Sequence, residues 1–190
     1  MIQPEIPHTS PSYMISYQMN EDLCDRIVED FDSRENRATV DKLRGYSRLN
    51  NQSMDQDLMA EYISDLEKVF QEYRKEYKWS YVMGTSWSFF PPFNLQKYYP
   101  GDSYSPTHIE EGGPREGKIQ RILAFTTYLN DIEVGGETEF IYQGIKVKPK
   151  KGLTIIWPAG WTHPHHGLPA PEETKYIVTG WAGYHFRNKE

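Results

Sequence analysis

The chain changes texture near residue 78, and that change limits the folds open to it. Beyond it, β-branched and aromatic residues gather in short runs at 79–90, 94–99, 121–129, 137–140, 144–147, 153–157 and 176–182. Turn pairs separate the runs, among them Pro91-Pro92, Pro100-Gly101, Gly135-Gly136 and Lys151-Gly152. Many short strands with such punctuation predict a sandwich or barrel. Before the switch the spacing is helical. Leu23, Ile27 and Phe31 recur every four positions after Asn20, a suitable N-cap, and predict a short helix over 20–32. Leu58, Tyr62, Leu66, Val69, Phe70, Tyr73 and Tyr77 form one face of a longer helix over 55–77, with Ser53 or Asp55 available to cap it. Residues 1–13 read as an irregular arm and 33–53 as a polar loop with room for one strand. The expectation is a mainly β, cupin-like jelly-roll barrel braced by N-terminal α-helices. It forms one domain over 1–190, with the arm and helical support in 1–78 and the jelly-roll core and site in 79–190.

A formal net charge of −6 argues against general affinity for nucleic-acid phosphates and for anionic membranes. Cys24 is the sole cysteine, so neither an internal disulfide nor a cysteine-based zinc site can form. The start has no basic stretch followed by an apolar one, and no apolar run approaches the roughly 20 residues that span a bilayer. A soluble, cytoplasmic protein is the expectation.

Two sets of residues carry the chemistry. In an extended segment, His108 and Glu110 are two apart and leave the same face, where they can chelate one metal. Glu111 points the other way. Far along the chain, His163, His165 and His166 crowd into four residues after the predicted strand 153–157, and the residues alone leave open which is the ligand. Two imidazoles and a carboxylate hold a metal on one face and leave the other open, which suits non-haem Fe(II). Lys175, beyond the histidines, supplies a positive charge for the remote carboxylate of a small diacid.

From Tyr98 to Trp181 the chain resembles the prolyl-4-hydroxylase-like branch of the Fe(II)/2-oxoglutarate oxygenases. The matching blocks stand in order: Tyr98-Tyr99-Pro100-Gly101, His108-Ile109-Glu110, Arg121 with Tyr128-Leu129-Asn130, Gly135-Gly136-Glu137-Thr138, Val147 to Gly152, His165-His166-Gly167-Leu168-Pro169, and Lys175. The resemblance implies a double-stranded β-helix and selects His165, so that His108, Glu110 and His165 are the catalytic metal ligands. It also implies that Tyr98 and Thr138 help Lys175 hold 2-oxoglutarate, that Trp181 lies beside the co-substrate pocket as part of the substrate region, and that Arg121 and Tyr104 line the substrate side. Three departures stand out. The carboxylate is glutamate rather than the commoner aspartate, one residue is inserted before His108, and Ala124 replaces a threonine.

The implied activity is a dioxygenase that uses Fe(II), O2 and 2-oxoglutarate, with ascorbate as an auxiliary reductant, and releases succinate and CO2. A peptide or protein is the first substrate class and a peptidyl proline the first guess, with Tyr104, Trp157 and Trp161 available to pack on its ring. Small molecules are the other class. The glycine-rich part of 107–118 beyond Glu110 is expected to act as a lid. The rival readings are a non-enzymatic cupin-like module binding a small ligand or metal, and a zinc hydrolase, for which the sequence offers no clear general base.

Overall fold

A computed structural model describes residues 12–42, 45–80, 87–90, 92–112 and 120–184. The expected lid falls largely on 113–119, outside the described residues. In chain order the elements are β1 (Ile15–Gln18), α1 (Glu21–Ser33), β2 (Thr39–Asp41), β3 (Tyr46–Asn50), α2 (Gln56–Glu76), β4 (Trp87–Phe89), β5 (Asn94–Tyr98), β6 (Gln120–Tyr128), β7 (Thr138–Phe140), β8 (Ile145–Val147), β9 (Leu153–Pro158), β10 (His165–Gly167) and β11 (Lys175–Tyr184).

α1 begins after the expected cap Asn20, and α2 begins after Asp55, one of the two caps the sequence offers. The Asn20 side chain accepts from the Asp22 N–H, and Asp55 accepts from the Leu58 N–H, each satisfying a donor that the first helical turn leaves free. Leu23, Ile27 and Phe31 of α1, and Leu58, Tyr62, Leu66, Val69, Phe70 and Tyr73 of α2, are buried. The region 33–53, expected to be mostly loop, instead contributes β2 and β3. Their polar side chains hide the strand pattern, but β3 pairs with β5 from Tyr46↔Tyr98 to Asn50↔Asn94. The N-terminal segment also joins the sheet, because β1 pairs with β9.

Among the described residues the strands form two sheets. The larger has the order β1-β9-β6-β11-β5-β3-β2, with β4 attached to β11, and the smaller is β10-β7-β8. The pairs of the larger sheet are antiparallel throughout. Alternation along the strands gives this sheet two different faces. Leu123 and Phe125 of β6, Leu95 of β5, Ile156 of β9 and Val178 of β11 share a buried cluster with the apolar faces of α1 and α2. Ala124, Tyr128, Ile155 and Trp157 form a second cluster with Phe140 of the small sheet. The helix side is pinned by polar contacts as well. Tyr62 and Thr127 share a 2.8 Å hydrogen bond, and Thr127 and Thr154 share another of 2.8 Å, so the buried hydroxyls satisfy one another.

This mainly β architecture leaves the inner face of the large sheet opposed to the small one. Between them lies a cavity of about 420 Å³. No helix among the described residues is long and apolar enough to cross a membrane.

Candidate metal centre

His108 and His165 lie far apart in sequence and are joined by backbone pairing. Each donates its N–H to the other's carbonyl at 3.0 Å, forming an isolated antiparallel bridge at the first residue of β10. That bridge brings the imidazole centroids to 4.4 Å. Glu110 is fixed next to them because its N–H donates to the Ala159 carbonyl, just past the end of β9. A side-chain ligand atom from each of His108, Glu110 and His165 lies within 4.8 Å of the others.

The rings are oriented by their outer nitrogens. His108 Nδ1 is 2.9 Å from the Pro106 carbonyl, and His165 Nδ1 is 2.9 Å from the His163 carbonyl. A carbonyl can only accept, so each Nδ1 carries a proton, and Nε2 is the ring atom left to offer its lone pair to a metal. Both Nε2 atoms stand 3.5 Å from Glu110 Oε1. Burial pushes the Glu110 carboxyl up, but hydrogen bonds donated by the imidazole Nε2–H groups in the absence of a metal, and by the Trp181 N–H, outweigh it and hold the group well below the usual carboxylate range. A bound metal would take the place of the Nε2 protons. An ionised carboxylate and two neutral imidazoles form a donor set that fits a divalent first-row metal such as Fe(II).

The neighbouring histidines are engaged elsewhere. His163 is buried, with Nε2 2.8 Å from the Ser12 carbonyl, and His166 contacts Thr107 and Glu139. Glu111 is exposed. Of the three clustered histidines, His165 alone enters the trio.

Lys175 lines the same cavity at the start of β11 and is 4% exposed. Its Nζ donates to the Gly136 carbonyl at 3.0 Å. Burial pushes its pKa down to about 8, against the opposing influence of Glu137. Gly135 and Gly136 shape this wall. Both have positive φ, and a Cβ on Gly135 would lie 2.3 Å from the Pro169 carbonyl oxygen. Asn130 positions the start of β11: its Nδ2 donates to the Thr174 carbonyl and its Oδ1 accepts from the Tyr176 N–H, both at 2.9 Å. This accounts for an asparagine after Tyr128-Leu129.

The other expected site residues also line the cavity. Tyr98 sits in register with Lys175, its ring centroid 5.1 Å from Nζ, and its hydroxyl donates to Gln96 Oε1. Thr138 accepts from the Tyr128 hydroxyl at 2.6 Å. Tyr104 packs on His108 with ring centroids 4.4 Å apart. The Arg121 guanidinium lies 3.5 Å from the Trp181 ring centroid, and the Trp181 indole N–H donates to Glu110 Oε2 at 2.7 Å. Trp161 differs from Trp157: it is 71% exposed and is not part of the cavity lining. Arg48, Asn94, Gln96, Thr126 and Thr179 also line the cavity and were not singled out from the sequence. Alternation on β5, β6 and β11 was the available signal for four of them. Arg48 was hidden because β3 was not recognised.

The chain is similar to known proteins in both sequence and fold. Residues 93–183 match the sequence pattern of the 2OG-Fe(II) oxygenase superfamily. The chain is 32% identical over 114 residues to "Probable prolyl 4-hydroxylase 9" of Arabidopsis thaliana, a match covering 47% of this chain and 39% of that protein. It is 29% identical over 119 residues to "Prolyl 4-hydroxylase 13" of the same plant, covering 49% of this chain and 43% of that protein. The chain thus spans less than half the length of these relatives. In structure it resembles the viral collagen prolyl hydroxylase of Paramecium Bursaria Chlorella virus-1, solved as a 2OG complex. The TM-score is 0.70 at 21% identity, covering 92% of this chain and 97% of that one. A Pseudomonas putida prolyl-4-hydroxylase gives a TM-score of 0.68 at 18% identity, covering 92% and 94%. The shared fold is the double-stranded β-helix.

Proposed function

We propose that this prolyl-4-hydroxylase-like member of the 2OG-Fe(II) oxygenase superfamily is an Fe(II)- and 2-oxoglutarate-dependent dioxygenase. It hydroxylates an organic substrate and releases succinate and CO2. One observation carries the reading: the trio His108, Glu110 and His165 and the buried cation Lys175 open onto a single cavity.

Each residue has a task. His108 Nε2, Glu110 Oε1 and His165 Nε2 hold the metal, and the carbonyls of Pro106 and His163 keep the imidazoles in the required tautomer. When bound, the Fe(II) supplies the oxidising chemistry with O2 and 2-oxoglutarate. Lys175 pairs with the far carboxylate of the diacid, a charge-assisted contact reinforced by its burial from solvent. Tyr98 and Thr138 complete that wall. Arg121, Tyr104 and Trp181 lie toward the substrate. The names of the relatives support a prolyl residue in a peptide as the first substrate class to test. We also read 1–190 as one domain in which α1 and α2 brace the sheet; a buried cluster running from Met19 to Ala182 supports this.

The direct test is succinate formation from 2-oxoglutarate in air with Fe(II) and ascorbate, with and without proline-containing peptides. The native chain is compared with His165→Ala and Lys175→Ala. Turnover in the native protein, lost in His165→Ala and restored in Lys175→Ala only by a large excess of 2-oxoglutarate, is expected. If the native protein binds neither Fe(II) nor 2-oxoglutarate, the assignment fails.

A further inference from the structure

The extra methylene of Glu110 creates a difficulty for the proposed site. A glutamate can turn both carboxylate oxygens onto one metal. A chelating carboxylate would occupy a position that 2-oxoglutarate or O2 requires. In this chain the two oxygens have different surroundings. Oε1 faces both imidazoles, 3.5 Å from each Nε2. Oε2 accepts the Trp181 indole N–H at 2.7 Å. Arg121 supports the same arrangement. Its guanidinium lies over the Trp181 ring, its Nη1 donates to the Glu110 backbone carbonyl at 3.1 Å, and the same nitrogen is 3.8 Å from Oε2.

Cross-strand register explains how an indole comes to occupy this place. Trp181 of β11 pairs with Ala124 of β6, which pairs with Trp157 of β9. The small Ala124 side chain leaves that strip of the inner face to the two indoles. The side chain of Glu110 is only 14% exposed, so water offers little competition for Oε2.

We propose that Trp181, supported by Arg121, is a positioning residue that holds Glu110 as a one-oxygen ligand and so keeps the metal's open positions available to the co-substrate. The proposal rests on the Fe(II)/2-oxoglutarate reading above. It gives Trp181 a task toward the metal ligand rather than toward the substrate.

The test uses the full chain and Co(II), which is stable in air, and measures Co(II) affinity and then 2-oxoglutarate affinity of the Co(II)-loaded protein by calorimetry. Trp181→Phe keeps an aromatic ring and removes the N–H. It is expected to bind Co(II) within about threefold of the native protein and to bind 2-oxoglutarate roughly tenfold to a hundredfold more weakly, the range for a hydrogen bond to a charged group. Glu110→Asp is the control, because the shorter carboxylate does not need the restraint. In that background Trp181→Phe should change 2-oxoglutarate affinity by less than about threefold, which isolates the coupling between the two residues. An equal loss in both backgrounds would overturn the proposal and place Trp181 against the co-substrate itself. No loss in either background, or a parallel loss of Co(II) binding, would also overturn it. Should Trp181→Phe fail to fold, Arg121→Gln takes its place. It should weaken 2-oxoglutarate binding by about twofold to tenfold in the native background and leave it unchanged in the Glu110→Asp background; no loss in the native background overturns the proposal. Absence of Co(II) and 2-oxoglutarate binding in the native protein would instead refute the functional reading on which this rests.

Discussion

The charge of Lys175 is governed by its burial in the cavity wall. Burial lowers its pKa to about 8 from an ordinary 10.5, so folding disfavours the charged form. Between those two values the unfolded chain binds more protons than the folded one, and stability rises with pH. The native protein should therefore lose less Tm than Lys175→Met, or gain relative to it, as pH is raised from about 8 to 10. Co-substrate affinity should move the opposite way. A diacid needs the charged lysine, so the dissociation constant of 2-oxoglutarate should rise above pH 8, by up to about tenfold per pH unit. Lys175→Arg, charged throughout, should bind with no such rise, as calorimetry at a series of pH values would show. The lysine and the pair His108 and Glu110 were legible in the sequence as residue types at a spacing. The choice among His163, His165 and His166 followed from a resemblance, and its physical basis is tertiary: His163 is turned to the Ser12 carbonyl and His166 to Glu139.

At the scale of elements, caps and close approaches govern what can be changed. Asp55→Ala removes the acceptor for the Leu58 N–H at the start of α2 and should cost about 1 kcal/mol, measured by denaturant unfolding. Gly180 in β11 stands where a Cβ would meet Phe93 and Phe125 at 2.7–2.8 Å. Gly180→Ala should therefore cost about 1–3 kcal/mol through forced repacking of that layer. The same unfolding assay would contradict this if the variant matched the native midpoint. Helices and apolar strands could be read from periodicity because one buried face dictates it. The short polar strands β2 and β3, and the three-residue β10, carry no such period. Hydrogen bonds to partners distant in sequence define them.

For the whole molecule, loading the proposed site should stabilise the fold by mass action. A metal at a hundred times its dissociation constant adds about 2.7 kcal/mol, provided the unfolded chain does not bind it. Thermal unfolding with Mn(II) should show a raised Tm that a chelator reverses, with a further rise on adding 2-oxoglutarate. His108→Ala should show neither. An unchanged Tm in the native protein at saturating Mn(II) would contradict the trio as a metal site.

By itself, the sequence determined the helical face of 55–77, the cap at Asn20 and a cap at either Ser53 or Asp55, the barrel-forming strand texture beyond residue 78, and the presence of two imidazoles, a carboxylate and a distant lysine. These are properties of local spacing and side-chain chemistry, which a linear pattern records. The tertiary structure alone decided the rest. Pairing of His108 with His165 brings the two ligand segments into contact, the register Trp181↔Ala124↔Trp157 sets an indole beside Glu110, and β3 adds Arg48 to the cavity wall. Such contacts arise from strand order and register, and antiparallel pairing joins residues whose separation along the chain carries no period.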